Sequence, residues 1–255
     1  GSDRTEREYA YRISAEGAAD SPANVASTEA RYRQQGWFDR EPEQQTQTLP
    51  SFCLSTNLIT NTDYQIFVRA TGHPTPEISA ADYQEQGFLV HDYSEVEPYL
   101  WQGDQHPAGQ GQHPVVLVSY EDALAYAQWR SQRDGVTYRL PTAAEWEKAA
   151  RGVDGRAYPW GHDFEPGLSH TRANARTAPT SPDAHPYDRS PYGVLGMAGN
   201  VTCWTDTRPK PGVRVVCGAS FESTHADAAV HTSTHASEDA RHPTLGIRLV
   251  ADLDR

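Results

Sequence analysis

The fold of this chain is decided by the stretch Thr137-Tyr-Arg-Leu-Pro-Thr-Ala-Ala-Glu-Trp-Glu-Lys-Ala-Ala-Arg-Gly152, which Tyr158-Pro-Trp-Gly161 soon follows. The stretch predicts a short strand that turns sharply into a short helix. Thr142 and Glu145 stand three positions apart, which is the pattern of a capping box at a helix N-terminus. Trp146 and two alanines would share one buried helix face, and the closing glycine would end the helix.

Three further stretches carry patterns that agree with this one. They are His113-Pro-Val-Val-Leu-Val-Ser-Tyr-Glu-Asp-Ala-Leu-Ala-Tyr-Ala-Gln-Trp129, Ser190-Pro-Tyr-Gly-Val-Leu-Gly-Met-Ala-Gly-Asn-Val201 and Gly246-Ile-Arg-Leu-Val250. Together and in this order, the four motifs closely resemble the formylglycine-generating-enzyme (sulfatase-modifying factor) family. The resemblance implies an α+β domain of the C-type-lectin-like kind, rich in loops, with short helices and short antiparallel strands.

The chain divides into two parts at about residue 50. Residues 1–49 form an N-terminal segment that is expected to be partly irregular. Residues 50–255 are expected to form the domain that resembles the family, in one compact unit with the N-terminal segment. Helices are predicted near residues 62–70 and after Ser119, where Asp122 completes a second capping box. Residues 73–112 are predicted to be a long ordered loop held by its aromatic side chains.

Charge and hydropathy argue against nucleic-acid binding and against a membrane-spanning segment. The net charge is −12 at pH 7, which argues against nucleic acid because phosphate binding needs a basic surface. No run of apolar residues approaches the length that crosses a bilayer, so the chain as given is not expected to span a membrane.

Two of the three cysteines are placed symmetrically about a turn. A hairpin centred on Lys210 would set Cys203 directly opposite Cys217, within disulfide range. In the family these positions typically hold a glutamate and an arginine, so the pair has been exchanged as a unit. We predict a Cys203–Cys217 disulfide, and with it a periplasmic or extracellular location. Two buried thiols are the alternative.

The segment after Cys217 indicates whether the protein could bind copper and generate formylglycine. The resemblance implies a comparison with the formylglycine generators, in which this segment carries two cysteines that bind copper and activate oxygen. No cysteine follows Cys217 here. Because a thiolate pair selects Cu(I), the sequence argues against copper and against formylglycine formation.

The same segment contains side chains that could bind a divalent metal or face a ligand. They are His225, Asp227, His231 and His235. The alternative is that these are surface residues of a polar loop.

The resemblance also implies a calcium site, made of an asparagine, neighbouring carbonyl groups and an aspartate. Asn174 matches the asparagine and Ala175 follows it, while Asp183 is a loose substitute for the aspartate. Oxygen ligands in a loop suit Ca²⁺. An asparagine that caps its own turn is the alternative.

Three functions remain open, and the sequence does not decide whether the protein is an enzyme. The first is a non-catalytic periplasmic binding or regulatory protein with an envelope protein partner. It would resemble the member that helps to activate the threonine-phosphorylation pathway of type VI secretion, and the missing copper cysteines favour it. The second is a periplasmic oxidative maturation enzyme for a siderophore precursor of the pyoverdine type, favoured by the histidines and the aromatic residues between 83 and 101. The third is a variable ligand-binding protein that takes a small molecule.

Overall fold

The computed structural model describes residues 1–39, 41–86, 92–172 and 177–252. The α-helices are α1 Arg4–Ala18, α2 Val25–Gln35, α3 Asn61–Thr71, α4 Ala80–Glu85, α5 Tyr120–Asp134 and α6 Ala143–Arg151. The strands are β1 Phe52–Leu54, β2 Tyr138–Arg139, β3 Thr202–Trp204, β4 Val213–Cys217, β5 Ser233–Ser237, β6 Leu245–Gly246 and β7 Val250–Asp252. Within the described residues, no helix is both long and apolar enough to cross a bilayer.

The strands form two small sheets. One has the order β1-β7-β2, and the other has the order β5-β4-β3-β6. All pairs are antiparallel except β3 with β6. Short helices, short antiparallel strands and long connections confirm the α+β class predicted from the sequence.

The central motif folds as its local signals predict. The Thr142 hydroxyl accepts a hydrogen bond from the Glu145 N–H, and the Glu145 carboxylate accepts one from the Thr142 N–H. Arg139 on β2 adds two hydrogen bonds to the same carboxylate, at 2.7 and 2.8 Å. This bidentate contact ties the strand to the helix that follows it. Trp146 is consequently directed into the core, where it is only 1% exposed.

The two helices predicted on either side of the long loop are also present. The cap of α3 is Thr60, one residue earlier than the sequence indicates, because its hydroxyl accepts the Asp63 N–H. The cap of α5 is Ser119 with Asp122, as predicted. In the loop between them, the structure forms α4 and two 3₁₀ turns, Tyr93–Glu95 and Glu97–Tyr99.

Acid should weaken the fold through Asp122. Burial alone would raise the pKa of Asp122, but the hydrogen bond with His73 and the charge of Arg241 outweigh burial and lower the pKa to about 2. Because the folded pKa lies below the unfolded value, this carboxylate stabilises the fold above about pH 4 and ceases to do so as the pH falls toward about 2. Its contribution at neutral pH is about 2 kcal/mol.

Unfolding curves of wild type and Asp122→Asn at neutral pH and near the folded pKa measure this contribution. The difference in free energy of unfolding should shrink in acid, because the wild-type carboxyl is then protonated too. A difference that stays constant would contradict the assignment. Asp20→Asn is the control, since Asp20 is exposed and should change the stability little at either pH.

The N-terminal segment is more regular than the sequence indicates. Asp3 and Glu6 form a capping box that starts α1, and α1 and α2 pack against each other. Ala10 and Ile13 of α1 lie in one core cluster with Tyr158 of the Tyr-Pro-Trp-Gly motif. The buried face of α1 is made largely of small residues, so its hydrophobic periodicity is weak and does not reveal the helix.

Candidate functional site

Two of the four predicted metal-binding or ligand-facing residues hold local structure together. The Nδ1 atom of His225 lies 3.2 Å from the carbonyl oxygen of Ile13, and its ring centroid lies 4.6 Å from that of Phe164. The carboxylate of Asp227 accepts hydrogen bonds from the N–H and the hydroxyl of Thr224, both at 2.7 Å. His225 therefore contacts α1 and helps to hold it against the domain. Asp227 stabilises the turn that begins at Thr224.

The other two residues lie elsewhere. The Nε2 atom of His231 is 3.2 Å from Oε2 of Glu41, with the His231 side chain 5% exposed. His235 is exposed on β5. In the part of the chain that the structure describes, no three His, Cys, Asp or Glu side chains group closely enough to hold a metal ion. The segment passes from a 3₁₀ turn into an extended strand, which separates side chains that are close in sequence.

Cys203 and Cys217 stand directly opposite each other where β3 pairs with β4, as the hairpin predicts. Both are buried. Burial raises the pKa of both thiols, and the neighbouring Cys203 raises that of Cys217 further. Because a reactive cysteine must be a thiolate, this environment suits neither a nucleophile nor an accessible copper ligand. Both residues are thiols in the structure, so the disulfide stays a prediction.

The central motif covers this cysteine pair. Gly218, directly after Cys217, has a φ of +90°. A Cβ atom on Gly218 would lie only 2.7 Å from Cζ2 of Trp146. Trp146, Cys203 and Cys217 belong to one core cluster. The chain therefore needs a glycine here, both for the backbone angle and to let the Trp146 ring lie against the strand end.

The structure describes only part of the predicted calcium site. Asn174 and Ala175 lie outside the described residues. Asp183 is exposed on a short 3₁₀ turn, Pro182–Ala184. Calcium binding therefore stays a prediction.

The structure reveals a cluster that the sequence analysis did not assemble. We call Tyr83, Tyr99, Glu95 and Glu222 the acid–tyrosine cluster. Burial raises the pKa of Tyr99 to about 12, and the negative charges of Glu222 and Glu95 add to this effect. The pKa of Tyr83 is raised by the same three causes. The aromatic loop is visible in the sequence, but its approach to Glu222 is not, because the two are far apart along the chain.

A groove of about 700 Å³ opens between α4 and β5. One wall carries the carboxylates of Glu77, Asp82 and Glu85, and the other carries His235 and Asp239. We call it the acidic groove. Its volume falls within the range of sites that bind small molecules or short peptide segments. Of the four side chains predicted to bind a metal or face a ligand, His235 is the one that lines this groove.

These features define a protein of the formylglycine-generating-enzyme class: a C-type-lectin-like α+β fold with the central motif closed over β3 and β4. The chain belongs to the sulfatase-modifying factor family, because the sulfatase-modifying factor enzyme 1-like domain matches residues 14–253. Among solved structures, PvdO from Pseudomonas aeruginosa has a similar fold, with a TM-score of 0.61 over 79% of this chain and 80% of that chain, at 20% identity.

An inactive relative and an active relative have nearly the same sequence identity to this chain. The inactive C-alpha-formylglycine-generating enzyme 2 of Mus musculus is 30% identical, over 82% of this chain and 77% of its own length. The formylglycine-generating enzyme of Mycobacterium tuberculosis is 31% identical, over 70% of this chain and 71% of its own length. Overall similarity therefore does not separate a catalyst from a non-catalytic member, and the side chains at the site must do so.

Proposed function

We propose that this protein is a binding or regulatory member of the family that does not generate formylglycine, and that it acts on an envelope protein partner. It would resemble the periplasmic activator of the type VI secretion threonine-phosphorylation pathway. The observation that carries the proposal is the environment of the cysteines. The facing pair, Cys203 and Cys217, is buried with both thiol pKa values raised, and no cysteine follows Cys217 in the chain.

The histidines support the same proposal. The Nδ1 atom of His225 lies against the Ile13 carbonyl and the Nε2 atom of His231 lies against Glu41, so these two nitrogens are used in contacts within the domain. The acidic groove, in contrast, is open and lined by exposed polar side chains. A surface of this kind is suited to recognising a partner rather than to excluding water from a reaction.

The proposed location in the periplasm or at the cell exterior rests on the same cysteine pair. Two buried cysteines at directly opposite positions of an antiparallel pair have the separation that a disulfide needs. Disulfides persist in oxidising compartments, so a bridge here would favour the periplasm over the cytosol.

The proposal predicts that the protein produces no aldehyde from a cysteine-containing sulfatase-type peptide. The test supplies the peptide, Cu(I) and oxygen, and detects the aldehyde by mass spectrometry and an aldehyde-reactive probe. The Mycobacterium tuberculosis formylglycine-generating enzyme is the positive control. Conversion of the peptide at a rate comparable with that control would overturn the proposal.

The acid–tyrosine cluster favours a second candidate, an oxidative maturation enzyme for a siderophore precursor of the pyoverdine type. Two carboxylates near the buried Tyr83 and the half-buried Tyr99 could move protons at a bound substrate. Such an oxidation without thiolates would need a redox metal or another oxidant. Metal analysis of protein purified without chelators distinguishes the candidates: near-stoichiometric copper or iron, lost in Glu222→Gln, would favour the oxidase.

A further inference from the structure

The strand β5 lies at the edge of its sheet. Among the described strands it pairs only with β4. The ladder continues beyond both strand ends, where the Glu238 N–H donates to the Gly212 carbonyl and the Gly218 N–H donates to the Thr232 carbonyl, both at 3.0 Å. In an antiparallel pair, hydrogen-bonded and non-hydrogen-bonded positions alternate. The two flanking bonds therefore identify which residues of β5 are hydrogen-bonded to β4.

The odd-numbered residues of β5 direct their backbone groups away from β4. Alternation from the flanking bonds assigns the ladder bonds to Thr234 and Ala236. The N–H and C=O groups of Ser233, His235 and Ser237 then point to the open edge. One of these groups is used locally, since the Ser237 carbonyl accepts a hydrogen bond from the Ala240 N–H. Within the described residues, the remaining groups have no hydrogen-bond partner, and they form an edge of the kind that accepts an additional strand.

This open edge borders the acidic groove, since His235 and Ser237 line it. Across the groove stand Glu77 and Glu85, both exposed. A chain that paired with β5 would lie about 4.8 Å from it, in the space between β5 and α4. The groove therefore provides both backbone pairing and side-chain contacts for one extended segment.

The charge of the groove is strongly negative. Among the described residues that line the groove, the one guanidinium is that of Arg241. It lies 2.6 Å from the buried carboxylate of Asp122 and also donates to the Leu117 carbonyl. Arg241 is thus neutralised from within the domain. Neither Glu77 nor Glu85 forms an ion pair with any cation of the described chain. The groove carboxylates remain uncompensated and would attract a cationic segment.

We propose that the acidic groove binds an extended, lysine- or arginine-containing peptide segment, which adds a strand to the edge of β5. This inference rests on the proposed function, because it names the chemistry of the partner that the binding protein would recognise. Side chains along a strand alternate between faces, so basic residues at every second position would lie on one face of the added strand and could face the row of groove carboxylates. Backbone pairing supplies affinity in this mode, and alternate side chains supply specificity.

The test uses synthetic capped peptides of about six to eight residues, the length of a typical strand. One alternates lysine with threonine, the second alternates glutamate with threonine, and the third is the lysine peptide with N-methylated amides along one edge. Binding is measured by fluorescence anisotropy. The lysine peptide should bind, more weakly as salt rises, and N-methylation should reduce its affinity about tenfold. Equal binding of lysine and glutamate peptides, or no effect of N-methylation, would overturn the inference.

A matched pair of variants tests the carboxylates. The double variant Glu77→Gln/Glu85→Gln should weaken binding of the lysine peptide about fivefold, as expected for two exposed ion pairs. Glu16→Gln, an exposed glutamate on α1, should leave the affinity unchanged, and identical affinities for both variants would contradict the site. The two proposals fail separately. Aldehyde formation would overturn the binding function, whereas loss of peptide binding without aldehyde formation would overturn only the peptide.

Discussion

Replacing Asp188 with alanine should destabilise the protein by about 3–5 kcal/mol, because two buried N–H groups would lose their acceptor at a cost of about 1–3 kcal/mol each. Asp188 is completely buried. Its carboxyl accepts hydrogen bonds from the N–H groups of Met197 and Ala198, at 3.0 to 3.1 Å. Those N–H groups would lose their acceptor, and Arg248, which is also fully buried, would lose a nearby carboxyl group.

The size of this effect follows from what the network holds. Arg248, from the Gly-Ile-Arg-Leu-Val motif, donates to the carbonyl groups of Leu195, Gly196 and Thr56. Asp188 and Arg248 therefore both bind the turn at residues 195–198. Arg248 thereby joins the Gly246–Val250 motif to the Ser190–Val201 motif. Without the Asp188 carboxyl, the N–H groups of Met197 and Ala198 would be left unsatisfied at the centre of the domain.

Chemical unfolding of Asp188→Ala beside Asp20→Ala measures the effect, and the exposed Asp20 should change the stability by less than about 0.5 kcal/mol. Burial raises the pKa of Asp188 to about 7, against the opposing backbone hydrogen bonds and Arg248, so an uncharged oxygen acceptor is tolerated there. Asp188→Asn should accordingly lose less than Asp188→Ala. Equal stabilities of Asp188→Ala and wild type would show that the network contributes nothing.

Reduction of the oxidised protein should lower its free energy of unfolding by about 3 kcal/mol, the chain-entropy contribution of a disulfide that closes a loop of this size. The predicted bridge joins Cys203 to Cys217, which are buried and directly opposite each other. Unfolding curves with and without reductant measure the difference, and intact mass shows the loss of two hydrogen atoms on oxidation.

Two variants isolate the bridge. The double variant Cys203→Ala/Cys217→Ala should show no effect of reductant, whereas Cys53→Ala should retain the full effect, since Cys53 is exposed on β1 and pairs across to Ala251. An unchanged mass after oxidation would contradict the disulfide, and with it the argument for an oxidising compartment.

The elements that could be predicted are those with strong local signals. Capping boxes at Ser119 and Thr142 place the starts of α5 and α6 correctly, because the side chain and the backbone N–H that form a cap are within one turn. The pairing of Cys203 with Cys217 was predictable for a related reason: the connection between two hairpin strands sets their register, and its turn residues around Lys210 are visible in the sequence. The helix α1 was not predicted, because its buried face is made largely of small residues and gains part of its packing from residues far along the chain, such as Tyr158.

The candidate site shows the same contrast between local sequence signals and long-range packing. His225, Asp227, His231 and His235 are close in sequence but do not come together, since a turn followed by a strand directs them to different neighbours. The family, the caps of α5 and α6, the cysteine register and the lack of any cysteine after Cys217 all follow from the sequence, because they depend on residue identity or short-range geometry. The acidic groove beside the edge of β5, in contrast, follows only from the fold, because its walls come from α4 and β5, and long-range packing is what brings these distant segments together.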